Sequence, residues 1–264
     1  MSDWGQIQQL PISLPEITSV AFSRDGSLLA VAGTRNKTPA IKIFAVNEAR
    51  GSGVPGPFAE LPVAELALEG GSDGYADVVS AMAFSDSLLA VAANGEIQAW
   101  GIDDFKSRSG QSASESPPTA QAPDFRLSGS GNIRFLDFSP DGKLLAAAVK
   151  NEQIVRLFNV TKRELLYEET GPRNICCVRF SPNGKRLALV GYDSNVVLCD
   201  ALSGARVLSL RGLPAGSSGE LAINARVVFS PDGTRIATNN VHGDLQVWCL
   251  PSDTAGYVEF VEKK

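Results

Sequence analysis

One phrase returns five times along this 264-residue chain, and a repeat of that kind restricts the fold more than composition or any single motif. It reads ITSVAFSRDGSLLAVAG at 17–33, VVSAMAFSDSLLAVAANG at 78–95 and IRFLDFSPDGKLLAAAV at 133–149. It returns as CCVRFSPNGKRLALVG at 176–191 and ARVVFSPDGTRIATNN at 225–240. Each copy is anchored by a phenylalanine followed by serine: Phe22, Phe84, Phe138, Phe180 and Phe229. The run before the anchor alternates as a strand does. Pro-Asp-Gly or Asp-Gly then supplies a tight turn, in which glycine takes the positive φ. A Leu-Leu-Ala-Val-Ala run follows as a returning strand, with small residues where neighbouring sheets approach closely.

Beyond each hairpin comes another apolar segment: AIKIFAV (40–46), EIQAWGI (96–102), IVRLFNV (154–160), NVVLCDA (195–201) and DLQVWCL (244–250). All five carry a large or sulfur-bearing residue near one position: Phe44, Trp100, Phe158, Cys199 and Trp248. Fourth strands are expected in VAELALE (63–69), DFRLSG (124–129), RELLYEE (163–169), ARVLSLR (205–211) and GYVEFVE (256–262). Each unit is thus a four-stranded antiparallel meander, and the fold class is all-β.

Units built as strand, Phe-Ser-Pro-Asp-Gly turn, strand, turn, and a strand ending in Trp-Asp or its substitutes resemble the WD-repeat family of β-propellers. The resemblance runs over roughly residues 5–262 and implies sheets packed radially as blades. The polar elements of that family are degenerate here. No unit has the Gly-His that would precede its first strand. The Trp-Asp pair becomes Phe44-Ala45, Trp100-Gly101, Phe158-Asn159, Cys199-Asp200 and Trp248-Cys249. Blade rigidity is therefore expected to rest on apolar packing more than on buried polar networks.

The reading is one propeller domain over 1–264, with blades near 17–69, 77–129, 132–169, 174–211 and 223–262. Anchor spacings of 62, 54, 42 and 49 residues exceed in places the ~40–45 of a compact unit. The surplus falls in the Gly/Pro-rich stretch 47–62 and the Ser/Pro-rich stretch 103–123, both expected to be flexible loops too polar to pack. Seven compact blades would need about 290 residues, more than are present. An N-terminal strand near 5–12 is placed like the last strand of a preceding blade. Five blades in a closed ring and an open or incomplete arc, with exposed edges at its ends, are both compatible with this count.

The charge balance, 24 Lys+Arg against 29 Asp+Glu for a net of −5, argues against a general nucleic-acid or anionic-membrane binder. The lone histidine, His242, removes most metal sites and Ser-His-Asp arrangements. Cys176, Cys177, Cys199 and Cys249 sit in apolar strand-like runs without CxxC spacing and read as small buried hydrophobes. Neither a secretory leader nor a membrane-spanning run is recognisable, so a cytoplasmic or nuclear location is expected. Asp25, Asp141 and Asp232 have turn duty. Asp137 is the one acid in a first strand and has no companions in the other copies, so the paired carboxylates of a glycosidase are not seen. No phosphate-binding Gly-rich loop is present.

These features lead to a non-catalytic scaffold that binds protein partners, without cofactor or metal, on the face built by the loops before each first strand and between second and third strands. The candidate contact residues there are Tyr75, Tyr192, Arg35, Lys150, Arg173 and His242, aromatic and cationic types favoured at interface hot spots. Two other readings stand beside it. One is an incomplete propeller serving as a structural subunit of a larger assembly. The other is a propeller that binds a small ligand or glycan, or hydrolyses one.

Overall fold

Leucine-rich hairpins closed by the Phe-Ser turn each nucleate a separate sheet. The computed structural model describes residues 10, 12, 14–35, 38–46, 62–68, 79–108, 121–127, 132–149, 152–191, 195–211, 225–239 and 245–250. The first sheet contains β1 (Glu16–Phe22), β2 (Leu28–Arg35), β3 (Thr38–Ala45) and β4 (Ala64–Leu66). The second contains β5 (Ala81–Phe84), β6 (Leu88–Ala93), β7 (Glu96–Gly101) and β8 (Phe125–Leu127), with helix α1 (Asp103–Arg108) between its last two strands. β9 (Ile133–Phe138), β10 (Leu144–Val149), β11 (Ile154–Asn159) and β12 (Glu164–Thr170) form the third. β13 (Cys177–Phe180), β14 (Arg186–Val190), β15 (Val196–Asp200) and β16 (Arg206–Leu210) form the fourth. The fifth has β17 (Val227–Phe229), β18 (Arg235–Asn239) and β19 (Leu245–Cys249).

Within every sheet the strands follow chain order, so each is an antiparallel meander of the expected kind. The fourth strand expected at 256–262 and most of the strand expected at 5–12 lie outside the described residues. Contacts divide the chain into two units, Met1–Arg126 and Leu127–Lys264. The first holds the first two sheets except Leu127 of β8; the second holds the other three.

The turn has a repeated internal wiring that explains the repeated letters. In the first copy the Leu28 amide donates to Ser23 Oγ at 2.9 Å, and Ser23 Oγ donates to Asp25 Oδ1 at 2.7 Å. The Ser27 amide donates to the same carboxylate oxygen at 3.0 Å, while Gly26 turns the chain at φ 71°. The same set recurs around Ser139 and Asp141, Ser181 and Asn183, and Ser230 and Asp232. The second copy lacks the glycine and closes sooner, with the Leu88 amide donating to Ser85 Oγ at 3.0 Å. Serine is thus retained after phenylalanine because its hydroxyl satisfies the backbone inside the turn.

Within each unit, packing runs face to face between successive sheets. In the first unit Leu28, Ala30, Ile41 and Ile43 meet Phe84, Leu89, Val91 and Trp100 in one apolar core. In the second, the fourth sheet is covered on both faces. Val178, Phe180, Leu187 and Leu189 pack on Ala146, Ala148, Val155 and Leu157; Cys177, Ala188, Val190 and Leu198 pack on Val227, Ile236 and Trp248. The small residues of the second strands sit where two sheets touch, which is why alanine recurs there. The five marked third-strand residues, from Phe44 to Trp248, are all buried.

Two expectations are corrected. The stretch 103–123 is not wholly loop, because Asp103–Arg108 form α1 and its Phe105 is fully buried in the core between the first two sheets. Gln121, at the far end of the stretch, bridges to Leu66 beside β4 and accepts a hydrogen bond from Trp100 Nε1 on its carbonyl oxygen at 3.0 Å. Residues 109–120 lie outside the described residues. Cys249 is the second correction. It is exposed, because it falls on the face of β19 opposite Trp248, whereas Cys176, Cys177 and Cys199 are buried free thiols. Burial pushes the Cys176 and Cys199 thiols up to about 11 and raises Cys177 too, so all three stay protonated and unreactive at neutral pH.

Candidate interaction site

Arg173 is the candidate contact residue whose side chain is described; it is exposed in the turn between β12 and β13. Arg35 ends β2, its backbone opposite Thr38, and its side chain is outside the description. Tyr75, Lys150, Tyr192 and His242 lie outside the described residues. No convergence of the six is therefore described.

What the second unit does bring together was not among those candidates. The first strands of its three sheets lie side by side, and Phe135 on β9 receives two guanidinium groups. Arg179 Cζ, from β13, stands 4.6 Å from the ring centroid, and Arg226 Cζ, from the residue before β17, stands 5.5 Å from it. Both distances are within cation–π range. Asp137, two residues along the same face of β9, is bonded through both oxygens. Its Oδ1 accepts from Arg179 Nη1 at 3.0 Å and its Oδ2 accepts from the Phe180 amide at 2.7 Å. Half-buried and tied to the next sheet by charge-assisted bonds, Asp137 works as a clamp between β9 and β13.

Arg226 is exposed and differently placed. Its amide donates to Asn239 Oδ1 at 2.8 Å, and its Nη1 makes long bonds to the Cys176 and Ala225 carbonyl oxygens. Among the described residues no carboxylate pairs with it. The inner edge of the second unit thus carries two arginines on one aromatic ring, beside one carboxylate already in use.

A sequence signal for this cluster exists, one and three residues before each anchor phenylalanine. There the first two copies have Ala21, Ser19, Ala83 and Ala81; the last three have Asp137, Phe135, Arg179, Cys177, Val228 and Arg226. A spacing of two puts each pair on one face of its strand. Among the described residues no group of three His, Cys, Asp or Glu side chains could hold a metal ion, and no helix is long and apolar enough to cross a membrane.

Serial antiparallel sheets with stacked apolar faces, each built on the same turn, define a β-propeller. Comparison with known proteins agrees. The model of the WD domain, G-beta repeat, matches residues 7–38, 122–159 and 163–200. The last two matches each start at the fourth strand of one sheet and end in the third strand of the next, so a sequence repeat straddles two blades. A WD repeat-containing protein of Synechocystis is 34% identical over 120 residues, 45% of this chain and 32% of that protein. WD repeat-containing protein 1 of Xenopus tropicalis is 32% identical over 83 residues, 31% of this chain and 13% of that protein. The chain therefore spans a third or less of the length of these curated relatives. Among solved structures, a chain in the crystal structure of a mitotic checkpoint complex superposes with a TM-score of 0.63 at 18% identity, covering 89% of this chain and 63% of that one. Three segments of the chain are thus similar to the WD repeat, and its repeats are degenerate in their polar positions.

Proposed function

We propose that the protein is a non-catalytic scaffold that holds protein partners on the loop-bearing rim and inner strand edges of its blades. The observation that carries this reading is the division of labour among polar side chains. Turn serines and aspartates are committed to the hairpins, and Asp137 is committed to Arg179 and the Phe180 amide. The polar groups left facing solvent at the rim and inner edge, Arg173 and Arg226, are of the type that anchors interfaces rather than the type that transfers protons. The family and the fold support a binding role in kind without specifying a ligand. A cytoplasmic or nuclear location belongs to the same proposal.

The test is capture of partners by the immobilised chain, read by cross-linking mass spectrometry, with Tyr75→Ala, Tyr192→Ala and Arg173→Ala beside the parent. The loop-face reading expects recovery of cross-linked partners to fall in these variants. Equal recovery from all of them contradicts it.

A second reading, an incomplete propeller within a larger assembly, is favoured by one specific observation in each unit. In the second unit Val228, Ala237 and Val247 form one cross-strand row on the face turned away from the fourth sheet. Val228, Val247 and Leu245 are more than half exposed. In the first unit Val20 and Phe22 on β1 are likewise more than half exposed, although Leu10, Ile12 and Leu14 cover Val31 and Phe44 on the same face. Apolar sheet faces of this kind ordinarily take a further blade.

A further inference from the structure

We infer that the inner edge of the second unit, where Arg179 and Arg226 flank Phe135, is a receptor for a single acidic side chain, glutamate or aspartate, of a protein partner's peptide segment. The inference deepens the scaffold reading and rests on it.

The argument begins with charge. The chain as a whole is acidic, at a net of −5, yet this edge sets Arg179 and Arg226 on one ring beside one aspartate. A local positive field on an acidic molecule selects anions at that place while the remaining surface repels them. Geometry then favours a carboxylate. Arg179 has already spent one guanidinium nitrogen on Asp137 at 3.0 Å. Arg226 pairs with no carboxylate among the described residues, and its side-chain bonds to the Cys176 and Ala225 carbonyl oxygens, at 3.5 and 3.4 Å, are at the outer limit for hydrogen bonds. Its planar fork can therefore turn to an incoming carboxylate and meet it with two parallel bonds.

Asp137 also selects against more highly charged ligands. Its carboxylate is held between the Arg179 guanidinium and the Phe180 amide, so a doubly charged phosphate entering beside it would meet its repulsion. A singly charged carboxylate meets less. The Phe135 ring supplies the remaining contact, an apolar surface for the methylene groups of a glutamate, and holds both guanidiniums in place as it does so. Lys162, exposed in the turn between β11 and β12 and paired with Glu164, serves as the control position.

The experiment titrates fluorescein-labelled hexaglutamate into the full chain and follows anisotropy at low and moderate salt. The same titration is run with a phosphoserine-containing peptide of equal charge and with hexalysine. Saturable hexaglutamate binding that weakens with salt is expected, together with a loss of about tenfold or more in Arg226→Gln. Lys162→Gln should bind as the parent does, and Arg226→Lys should fall between. Arg226 is exposed, so thermal melting of Arg226→Gln should match the parent and exclude misfolding as the cause. The proposal is overturned by three results: no saturation with hexaglutamate, equal binding by Arg226→Gln, or preference for the phosphoserine peptide. If hexaglutamate fails while partner capture still depends on Tyr75 and Tyr192, the acidic receptor falls and the scaffold reading stands. If capture also loses its dependence on those residues, both fall.

Discussion

Asp25 sits in the same turn wiring as its counterparts, but it also pairs with Lys106 of α1 at 2.7 Å. That ammonium, together with Ser23 and Ser27 donating to the carboxylate, holds the Asp25 carboxyl well below its ordinary value of 3.8. A carboxylate depressed on folding contributes stability above its unfolded pKa and loses it as pH falls toward its folded one. The fourth copy of the turn shows what asparagine does in this place, since Asn183 Oδ1 accepts from both Ser181 Oγ and the Lys185 amide. Asp25→Asn should therefore keep the turn and remove only the charge. We expect a small drop in melting temperature at neutral pH, constant until about pH 4 and closing below it. A gap that persists at low pH would mean that the turn itself was damaged. Gly204 gives a steric counterpart. Its φ is +72°, and an added Cβ would lie 2.8 Å from the ring of Tyr167, whose hydroxyl donates to the Ala201 carbonyl. Gly204→Ala should cost about 1–2 kcal/mol in urea unfolding from backbone strain alone, with the ring clash adding to it.

At the scale of elements, what could be read from the sequence was what repeats locally. The Phe-Ser-x-Asp-Gly phrase marks hairpins because its residues satisfy one another within a few positions, and the position of Phe44, Trp100, Phe158, Cys199 and Trp248 marks third strands because each must fill a core. Helix α1 escaped because the polar, Ser/Pro-rich average of 103–123 hides one apolar side chain. Phe105 is enclosed by the first two sheets, and only their packing gives it that role. Phe105→Ala should accordingly cost about 3–5 kcal/mol in urea unfolding, as for a buried aromatic. A cost below ~1 kcal/mol would return α1 to the status of surface loop. The arginine cluster escaped for a related reason. A search for basic runs looks along the chain, whereas Phe135, Arg179 and Arg226 meet only because successive first strands are set side by side.

At the scale of the whole molecule, the two readings of function differ in what becomes of the exposed apolar faces. An independent scaffold leaves Val20 and Val247 in solvent; a subunit of an assembly buries them. Val20→Asp and Val247→Asp should then leave the unfolding free energy of the isolated chain within about 0.5 kcal/mol of the parent. They should abolish any higher-mass species seen by size exclusion with light scattering. Retention of such a species in both variants would dissociate the faces from assembly. The scaffold account itself is tested most directly by hydrogen–deuterium exchange on the chain with and without a captured partner. It predicts new protection in the turn carrying Arg173, at the inner edge around Arg226 and β13, and none on the outer strands β12 and β16. Protection confined to those outer strands, with the rim and inner edge unchanged, would contradict it.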